Sequence, residues 1–118
     1  MRLKIYGIPN CDKVKAARAW LAQMGMDAPF HDFKRQGVTR ALLAAWLAQL
    51  DWTELVNRKG ITWKQLPSAR RDAVTGAAAA MDVMIEKPSI IKRPVLELDG
   101  KLHVGFDAGN YSRLFGKP

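Results

Sequence analysis

The stretch RLKIYGIPNCDKVKAARAWLAQMG, residues 2–25, predicts a strand, a turn and a helix in direct succession. Leu3 and Ile5 alternate with basic residues, which is typical of a strand with one buried face. Beyond the turn at residues 7–10, apolar side chains recur at the three- and four-residue spacing of an amphipathic helix. These positions are Val14, Ala17, Leu21 and Met24. The one cysteine of the chain, Cys11, stands where the turn meets the helix.

A second short strand, Pro29–Phe33, follows this helix and completes a β-α-β unit. Two strands joined by a crossover helix are expected to run parallel, with a right-handed connection. The chain then shows only helical patterns as far as Lys87. Thr39 is placed to cap one of these helices, and Thr62 with Gln65 resembles the capping box of another.

The C-terminal part returns to the alternation of strands. Val95–Leu98 and Lys101–Val104 flank the dipeptide Asp99-Gly100. Asp-Gly between two alternating segments is a strong signal for the tight turn of a β-hairpin. A terminal helix is predicted over Asp107–Phe115.

The order β-α-β, helices, β-β-α predicts an α/β protein with a thioredoxin-like fold and a mixed sheet. No linker-like segment interrupts the chain, so we expect a single domain over residues 1–118. The helices between the two sheet-forming parts are expected to form an insertion at about residues 36–88. The composition, 48% hydrophobic and 25% charged, is typical of a folded globular protein.

The charge and the cysteine content restrict the setting in which the protein works. A net charge of +8 favours acidic partners, which include nucleic acid, anionic membranes and small anions such as glutathione. The basic residues are dispersed, so nucleic-acid binding is the weakest of these readings. One cysteine cannot form an internal disulfide, which indicates a reducing compartment, and we expect the cytoplasm. No signal peptide or long apolar segment is visible, so no membrane association is expected.

Two interpretations of Cys11 compete. A lone cysteine is commonly a small buried hydrophobic residue. A cysteine that opens a helix, however, meets unpaired backbone N–H groups and the positive end of the helix dipole. Lys13, Lys15 and Arg18 bring further positive charge in the first two turns. These features favour the thiolate, which is the nucleophilic form, so we interpret Cys11 as reactive.

The residue that would resolve a disulfide on Cys11 is absent from the chain. A Cys-x-x-Cys pair carries its own resolving thiol, but Val14 occupies that position here. A disulfide formed on Cys11 must therefore be resolved by an external thiol, such as glutathione or a protein thiol. His31 and His103 have no second ligand at metal-binding spacing, so no metal site is predicted.

Three motifs resemble the ArsC/Spx family of arsenate reductase-like proteins, with the YffB-like subgroup as the nearest likeness. The first is YGIPNCD at residues 6–12, followed by a helix rich in Lys and Ala, and the second is NRKG at residues 57–60. The third is EKPSIIKRPVL at residues 86–96, completed by GKLHVGF at residues 100–106. The resemblance covers nearly the whole chain, and an Arg-Pro motif paired with an upstream cysteine is its most specific part.

The resemblance implies a thioredoxin-like fold in which Arg93 and Pro94 lie beside Cys11, with the proline commonly in the cis form. It also implies that Arg58 and Arg93 bind an oxyanion or an anionic thiol substrate. Arginine suits this role because its guanidinium presents a rigid fork of donors and stays charged. Asn10, in the turn, is a further candidate to donate to the sulfur or to its ligand.

The sequence also departs from parts of this family. Gly105-Phe106 stands where its arsenate reductases carry a third arginine, and Asp12 replaces their small hydroxyl-bearing residue. These departures weigh against arsenate reduction. The missing Cys-x-x-Cys pair weighs against the disulfide switch of the Spx branch.

Two hypotheses for the function follow. The first is an enzyme, a glutathione-dependent thiol reductase in which Cys11 forms a mixed disulfide. In this case glutathione is a co-substrate, no cofactor is held permanently, and a monomer is expected. The alternative is a non-catalytic Spx-like regulator of transcription that binds RNA polymerase.

Overall fold

The computed structural model describes residues 1–117; Pro118, the last residue of the predicted domain, lies outside the described residues. The described chain forms two compact units. The sheet unit comprises Met1–Asp32 and the chain from Arg93 onward, and the helical unit comprises Phe33–Lys92. The helical unit stands where the insertion is predicted, and the single-domain organisation stays a prediction.

The elements follow one another in the order expected from the sequence. In chain order they are β1 (Leu3–Gly7), α1 (Asp12–Gln23), β2 (Phe30–Asp32), α2 (Phe33–Gln36), α3 (Arg40–Leu47), α4 (Trp52–Leu55), α5 (Ile61–Gln65), α6 (Ser68–Ala73), α7 (Ala77–Glu86), a 3₁₀ turn (Pro88–Ile90), β3 (Val95–Leu98), β4 (Lys101–Val104) and α8 (Ala108–Phe115). Over residues 1–117 no helix combines the length and the apolar character that crossing a membrane requires.

The strands of the sheet unit form a mixed sheet in the order β2-β1-β3-β4. Strands β1 and β2 are parallel, whereas β3 is antiparallel to both β1 and β4. The predicted β-α-β unit, hairpin and mixed sheet are thereby confirmed. Asp99 and Gly100, at the tip of the hairpin, have φ angles of 50° and 85°, the left-handed backbone that this type of tight turn needs.

One face of this sheet packs against α1 and α8. Ile5 of β1 lies opposite Leu96 of β3, and both side chains are fully buried. Tyr111 of α8 is buried in the same cluster, with its ring edge-on to Trp20 of α1 at 5.5 Å between centroids. Burial of this apolar surface fixes both helices on the sheet. The start of α1 is therefore held by packing.

Gly7 allows β1 and α1 to approach each other closely just before the turn that carries Cys11. A Cβ atom added to Gly7 would lie 2.7 Å from Cγ2 of Val14, which is fully buried in α1. The β-branched valine has little freedom to turn away. Glycine at this position thus sets the distance between the strand and the first turn of the helix.

The helical unit follows the predicted pattern with two corrections. Thr39 caps α3 as predicted, with its Oγ1 accepting from the Leu42 N–H at 3.1 Å. The predicted capping box at Thr62 and Gln65 is wrong, because α5 begins at Ile61 and the Thr62 hydroxyl is hydrogen-bonded to Ser89 instead.

Phe33 was expected to end the second strand, but the strand ends at Asp32 and Phe33 opens α2. Its buried ring lies 6.4 Å from the ring of Trp46. Phe33 therefore contributes to the core of the helical unit, and this packing outweighs its preference for a strand.

Residues 55–57 pair with residues 90–92 inside the helical unit. The Asn57 N–H donates to the Ile90 carbonyl at 2.8 Å, and the Lys92 N–H donates to the Leu55 carbonyl at 2.7 Å. Val56 and Ile91, both buried, form the antiparallel bridge between these two bonds. The pairing anchors the segment that leads directly into Arg93.

Replacement of Gly7 by alanine should lower the free energy of unfolding by about 1–3 kcal/mol, because the new methyl group overpacks the contact with Val14. In the Gly7→Ala/Val14→Ala double variant the loss should be smaller than the sum of the two single losses. Urea unfolding measures all of these values.

Gly76→Ala is the matched control, because a methyl group there meets nothing within 4 Å. Strict additivity of Gly7→Ala and Val14→Ala would contradict the close approach described above.

Candidate active site

Cys11 is the residue at which helix α1 begins. Its backbone is extended, with φ −136° and ψ 125°, and its carbonyl accepts the first helical bond from the Lys15 N–H at 2.9 Å. The side chain is half-buried. The helix start, fixed by Gly7 and by packing on the sheet, therefore places a partly accessible sulfur at the positive end of the helix.

The surroundings of the sulfur favour its ionised form. Partial burial raises the pKa of the Cys11 thiol, but the net effect is a pKa below its ordinary value. The backbone N–H of Val14 and a hydrogen bond from the Arg93 side chain lower this pKa, and the charge of Arg93 adds to the effect. The backbone N–H of Lys13 contributes as well. The thiolate is thus stabilised by a helix terminus and one guanidinium together.

Arg93 reaches Cys11 from the loop that enters β3. The Arg93–Pro94 peptide bond is cis, in agreement with what the family resemblance implies. The Pro94 carbonyl accepts a hydrogen bond from the Gly105 N–H at 2.8 Å, which ties this loop to the end of β4. Two segments far apart in sequence therefore supply the cysteine and the cation that lowers its pKa.

The basic side chains of α1 do not have the role expected from the sequence. The groups that lower the pKa of Cys11 do not include the side chains of Lys13, Lys15 and Arg18. Lys15 instead donates to Oδ1 of Asn10 at 3.4 Å, and Arg18 lies 4.1 Å from the ring centroid of Phe30. The sequence therefore overestimated the effect of these cations on the thiol, and for Lys15 and Arg18 the reason is that the side chain contacts another residue. Asn10 stays a predicted site residue, with its amide oxygen bound by Lys15.

Arg58 belongs to the helical unit, in the turn between α4 and α5. The side chain is exposed, and its guanidinium carbon lies 5.4 Å from the ring centroid of Trp52. The structure brings Arg93 to Cys11, while the role of Arg58 in binding substrate stays a prediction. The contact with Trp52 is a feature that the sequence analysis missed.

The two histidines do not form part of a ligand cluster. The ring of His31 lies 5.0 Å from the ring of Tyr6, whose hydroxyl donates to Glu97. Burial lowers the pKa of His103, and the nearby charge of Lys101 acts in the same direction. Among residues 1–117, no group of three or more His, Cys, Asp or Glu side chains is placed to hold a metal ion.

A mixed sheet in the order β2-β1-β3-β4, with a cysteine at the start of helix α1, defines a thioredoxin-like fold. Residues 6–114 match the ArsC family, and the chain belongs to this family. Among solved structures, the YFFB (PA3664) protein is 40% identical, with a TM-score of 0.89, and the match covers 94% of this chain and 96% of that one.

Two further proteins are similar to this chain. An arsenate reductase (ArsC) related protein from Brucella melitensis is 46% identical, with a TM-score of 0.78, over 98% of this chain and 95% of that one. Regulatory protein MgsR from Bacillus subtilis is 23% identical, over 98% of this chain and 92% of its own length. The chain is thus similar both to a protein related to arsenate reductases and, more distantly, to a protein named as a regulator.

The rate at which iodoacetamide alkylates Cys11 should rise with pH to a midpoint below the ordinary thiol value of about 8.5. Below this midpoint the thiol predominates and the rate falls. Arg93→Ala should raise the midpoint, because it removes a cation and a donor, and Arg93→Lys should give an intermediate value. By the same linkage, the contribution of Cys11 to the free energy of unfolding is fully present above the ordinary thiol pKa and is lost as the pH falls through the lowered one.

Lys15→Ala serves as the control, since that side chain is not among the groups that lower the pKa. Equal midpoints of the alkylation rate for the wild-type protein and Arg93→Ala would show that Arg93 does not lower the pKa of Cys11.

Proposed function

We propose that this protein is a glutathione-dependent thiol reductase that works through a mixed disulfide on Cys11. The observation that carries the proposal is the contact of Arg93 with a half-buried cysteine at a helix start. A lowered thiol pKa provides the attacking thiolate near neutral pH. The positive charge beside it suits the anionic carboxylates of glutathione.

The reaction proceeds by two thiol–disulfide exchanges. In the first, the Cys11 thiolate attacks the glutathione sulfur of a disulfide substrate. The substrate's S–S bond breaks, its electron pair leaves with the other sulfur as a thiolate, and a Cys11–glutathione disulfide forms. In the second, the thiolate of a free glutathione attacks this disulfide, releases the Cys11 thiolate and forms oxidised glutathione. The substrate sulfur is released as a thiol, one free glutathione is consumed, and it leaves as oxidised glutathione together with the glutathione that came from the substrate.

The use of an external thiol follows from the number of cysteines. The chain has one cysteine, so no internal thiol can displace the bound glutathione. Glutathione in this account is a co-substrate that binds transiently, and protein thiols are alternative reductants. A reducing compartment such as the cytoplasm would supply them, and a monomer would suffice for the chemistry.

Arg58 is proposed as a second cation for the anionic substrate, on the strength of the family resemblance at residues 57–60. Arsenate is not the proposed substrate. Gly105 and Phe106 stand where the arsenate reductases of the family are expected to carry a third arginine, and oxyanion binding depends on such donors.

The relationship to MgsR favours a second candidate, a regulator that binds RNA polymerase. Such a protein would use its fold as a docking surface and would depend little on Cys11. The two candidates differ in how they respond to the loss of the sulfur. Retention of purified RNA polymerase by the Cys11→Ser protein would favour the regulator.

Exposure to oxidised glutathione should add one glutathione to the protein, at Cys11, and excess reduced glutathione should remove it. The Cys11→Ser variant should form no adduct and should reduce a glutathionylated peptide only at the uncatalysed rate, because it lacks the nucleophile. Intact-mass analysis and a peptide-reduction assay measure the two results.

The serine variant has nearly the same shape as the natural residue, so it also serves as the control for folding. Full peptide reduction by Cys11→Ser would rule out the proposed mechanism. Failure of the wild-type protein to form the adduct would do so as well.

A further inference from the structure

The exposed Arg58 side chain contacts an aromatic ring. Its guanidinium carbon lies 5.4 Å from the centroid of Trp52, within the range of a cation–π interaction. Trp52 is half-exposed, so its ring is available as a surface on which the guanidinium can rest. The pair lies wholly within the helical unit.

The backbone of Trp52 is fixed by a capping box. Trp52 is the first residue of α4, and Asp51 caps this helix by accepting from the Thr53 N–H at 3.0 Å. Glu54 completes the box by accepting from the Asp51 N–H at 2.8 Å. The hydrogen bonds of the capping box therefore hold the backbone on both sides of Trp52.

The backbone of Arg58 is fixed by a turn centred on Asn57. The Asn57 side chain accepts from the Lys59 N–H at 3.2 Å, and its carbonyl accepts from the Gly60 N–H at 3.2 Å. A Cβ atom on Gly60 would lie 2.7 Å from Nδ2 of the Asn57 side chain, so a larger residue there would displace this side chain from its place in the turn. The backbone from which the Arg58 side chain extends is therefore held in one position.

The contact with Trp52 leaves the N–H donors of the Arg58 guanidinium available. Over residues 1–117, no hydrogen bond or salt bridge of the protein engages the Arg58 side chain. The positive charge does act on Asp51, whose pKa is lowered chiefly by hydrogen bonds from Thr53 and further by Arg58. Because a cation–π contact engages the charge of the guanidinium without a hydrogen-bond acceptor, its N–H groups can still donate to a carboxylate.

We propose that Trp52 is a positioning residue that holds Arg58 ready to bind a carboxylate of the thiol substrate. This inference rests on the proposed function, in which Arg58 contacts the substrate. The contact with Trp52 restricts the rotamers of Arg58 in the free protein, so less side-chain entropy is lost when the carboxylate binds. The pair therefore selects disulfides that carry carboxylates, such as those of glutathione, over neutral disulfides of similar size.

S-methylglutathione tests the proposal by binding alone, since its thioether cannot react with Cys11. Calorimetry should show that Trp52→Leu weakens binding about two- to fivefold, the range of an exposed cation–π contact. Trp52→Phe, which keeps an aromatic face, should recover most of the affinity. In an Arg58→Ala background, Trp52→Leu should cause no further loss, because the residue acts through Arg58.

Lys59→Ala is the matched control for charge, and it should bind S-methylglutathione like the wild type. A second readout is the rate at which Cys11 reacts with bis(2-hydroxyethyl) disulfide, which has no carboxylate. This rate should be the same in the wild type and in Trp52→Leu. A variant that had lost its fold would differ from the wild type both in this rate and in the binding of S-methylglutathione.

Equal affinity of the wild type and Trp52→Leu for S-methylglutathione would overturn the proposal, as would a wild-type protein that does not bind it. If Trp52→Phe and Trp52→Leu weakened the binding of S-methylglutathione equally, the proposal would also be overturned. Failure of the proposed function has a different signature. In that case Cys11 forms no adduct with oxidised glutathione, while the dependence of S-methylglutathione binding on Trp52 persists.

Discussion

The chemistry depends on one electrostatic arrangement, in which the Cys11 sulfur lies between the start of a helix and a single guanidinium. Neither component is strong by itself, because the sulfur is partly buried and burial opposes ionisation. The N–H groups of Val14 and Lys13 and the side chain of Arg93 together outweigh this cost. Loss of either component would raise the pKa of the half-buried thiol and so favour its protonated form.

The remainder of the sheet unit holds this arrangement in place. The close approach of Gly7 to Val14 fixes the height at which α1 begins, and thereby the position of Cys11. The hydrogen bond between Gly105 and Pro94 fixes the loop that delivers Arg93. The first support lies at the end of β1 and the second joins the loop before β3 to the end of β4, and both β1 and β3 carry fully buried residues, Ile5 and Leu96. The stability of the core and the reactivity of the thiol are therefore linked.

Local signals in the sequence were sufficient for much of the fold. The strand, turn and helix of residues 2–25, the hairpin at Asp99-Gly100 and the cap at Thr39 each depend on neighbouring residues, and each was predicted correctly. Phe33 was misplaced because tertiary packing decides its state. The capping box predicted for α5 at Thr62 is absent because that helix begins one residue earlier, at Ile61, whereas the capping box that Asp51 and Glu54 form at α4 was missed.

The site was predictable only in part, for the same reason. A cysteine at a helix start is a local feature, so Cys11 was found from its position. Arg93 is distant in sequence and required the family resemblance, whereas the nearby Lys13, Lys15 and Arg18 were credited with an effect that Arg93 provides. The contact of Trp52 with Arg58 depends both on the capped start of α4 and on the turn at Asn57, and no pattern in the sequence indicates it.

The most direct test of the account is an equilibrium titration of the wild-type protein, with the Cys11 Cβ carbon observed by NMR. The account predicts one transition with a midpoint clearly below the ordinary thiol value of about 8.5. A midpoint at or above that value would show that the helix start and Arg93 do not ionise the sulfur, and the proposed chemistry would lose its nucleophile.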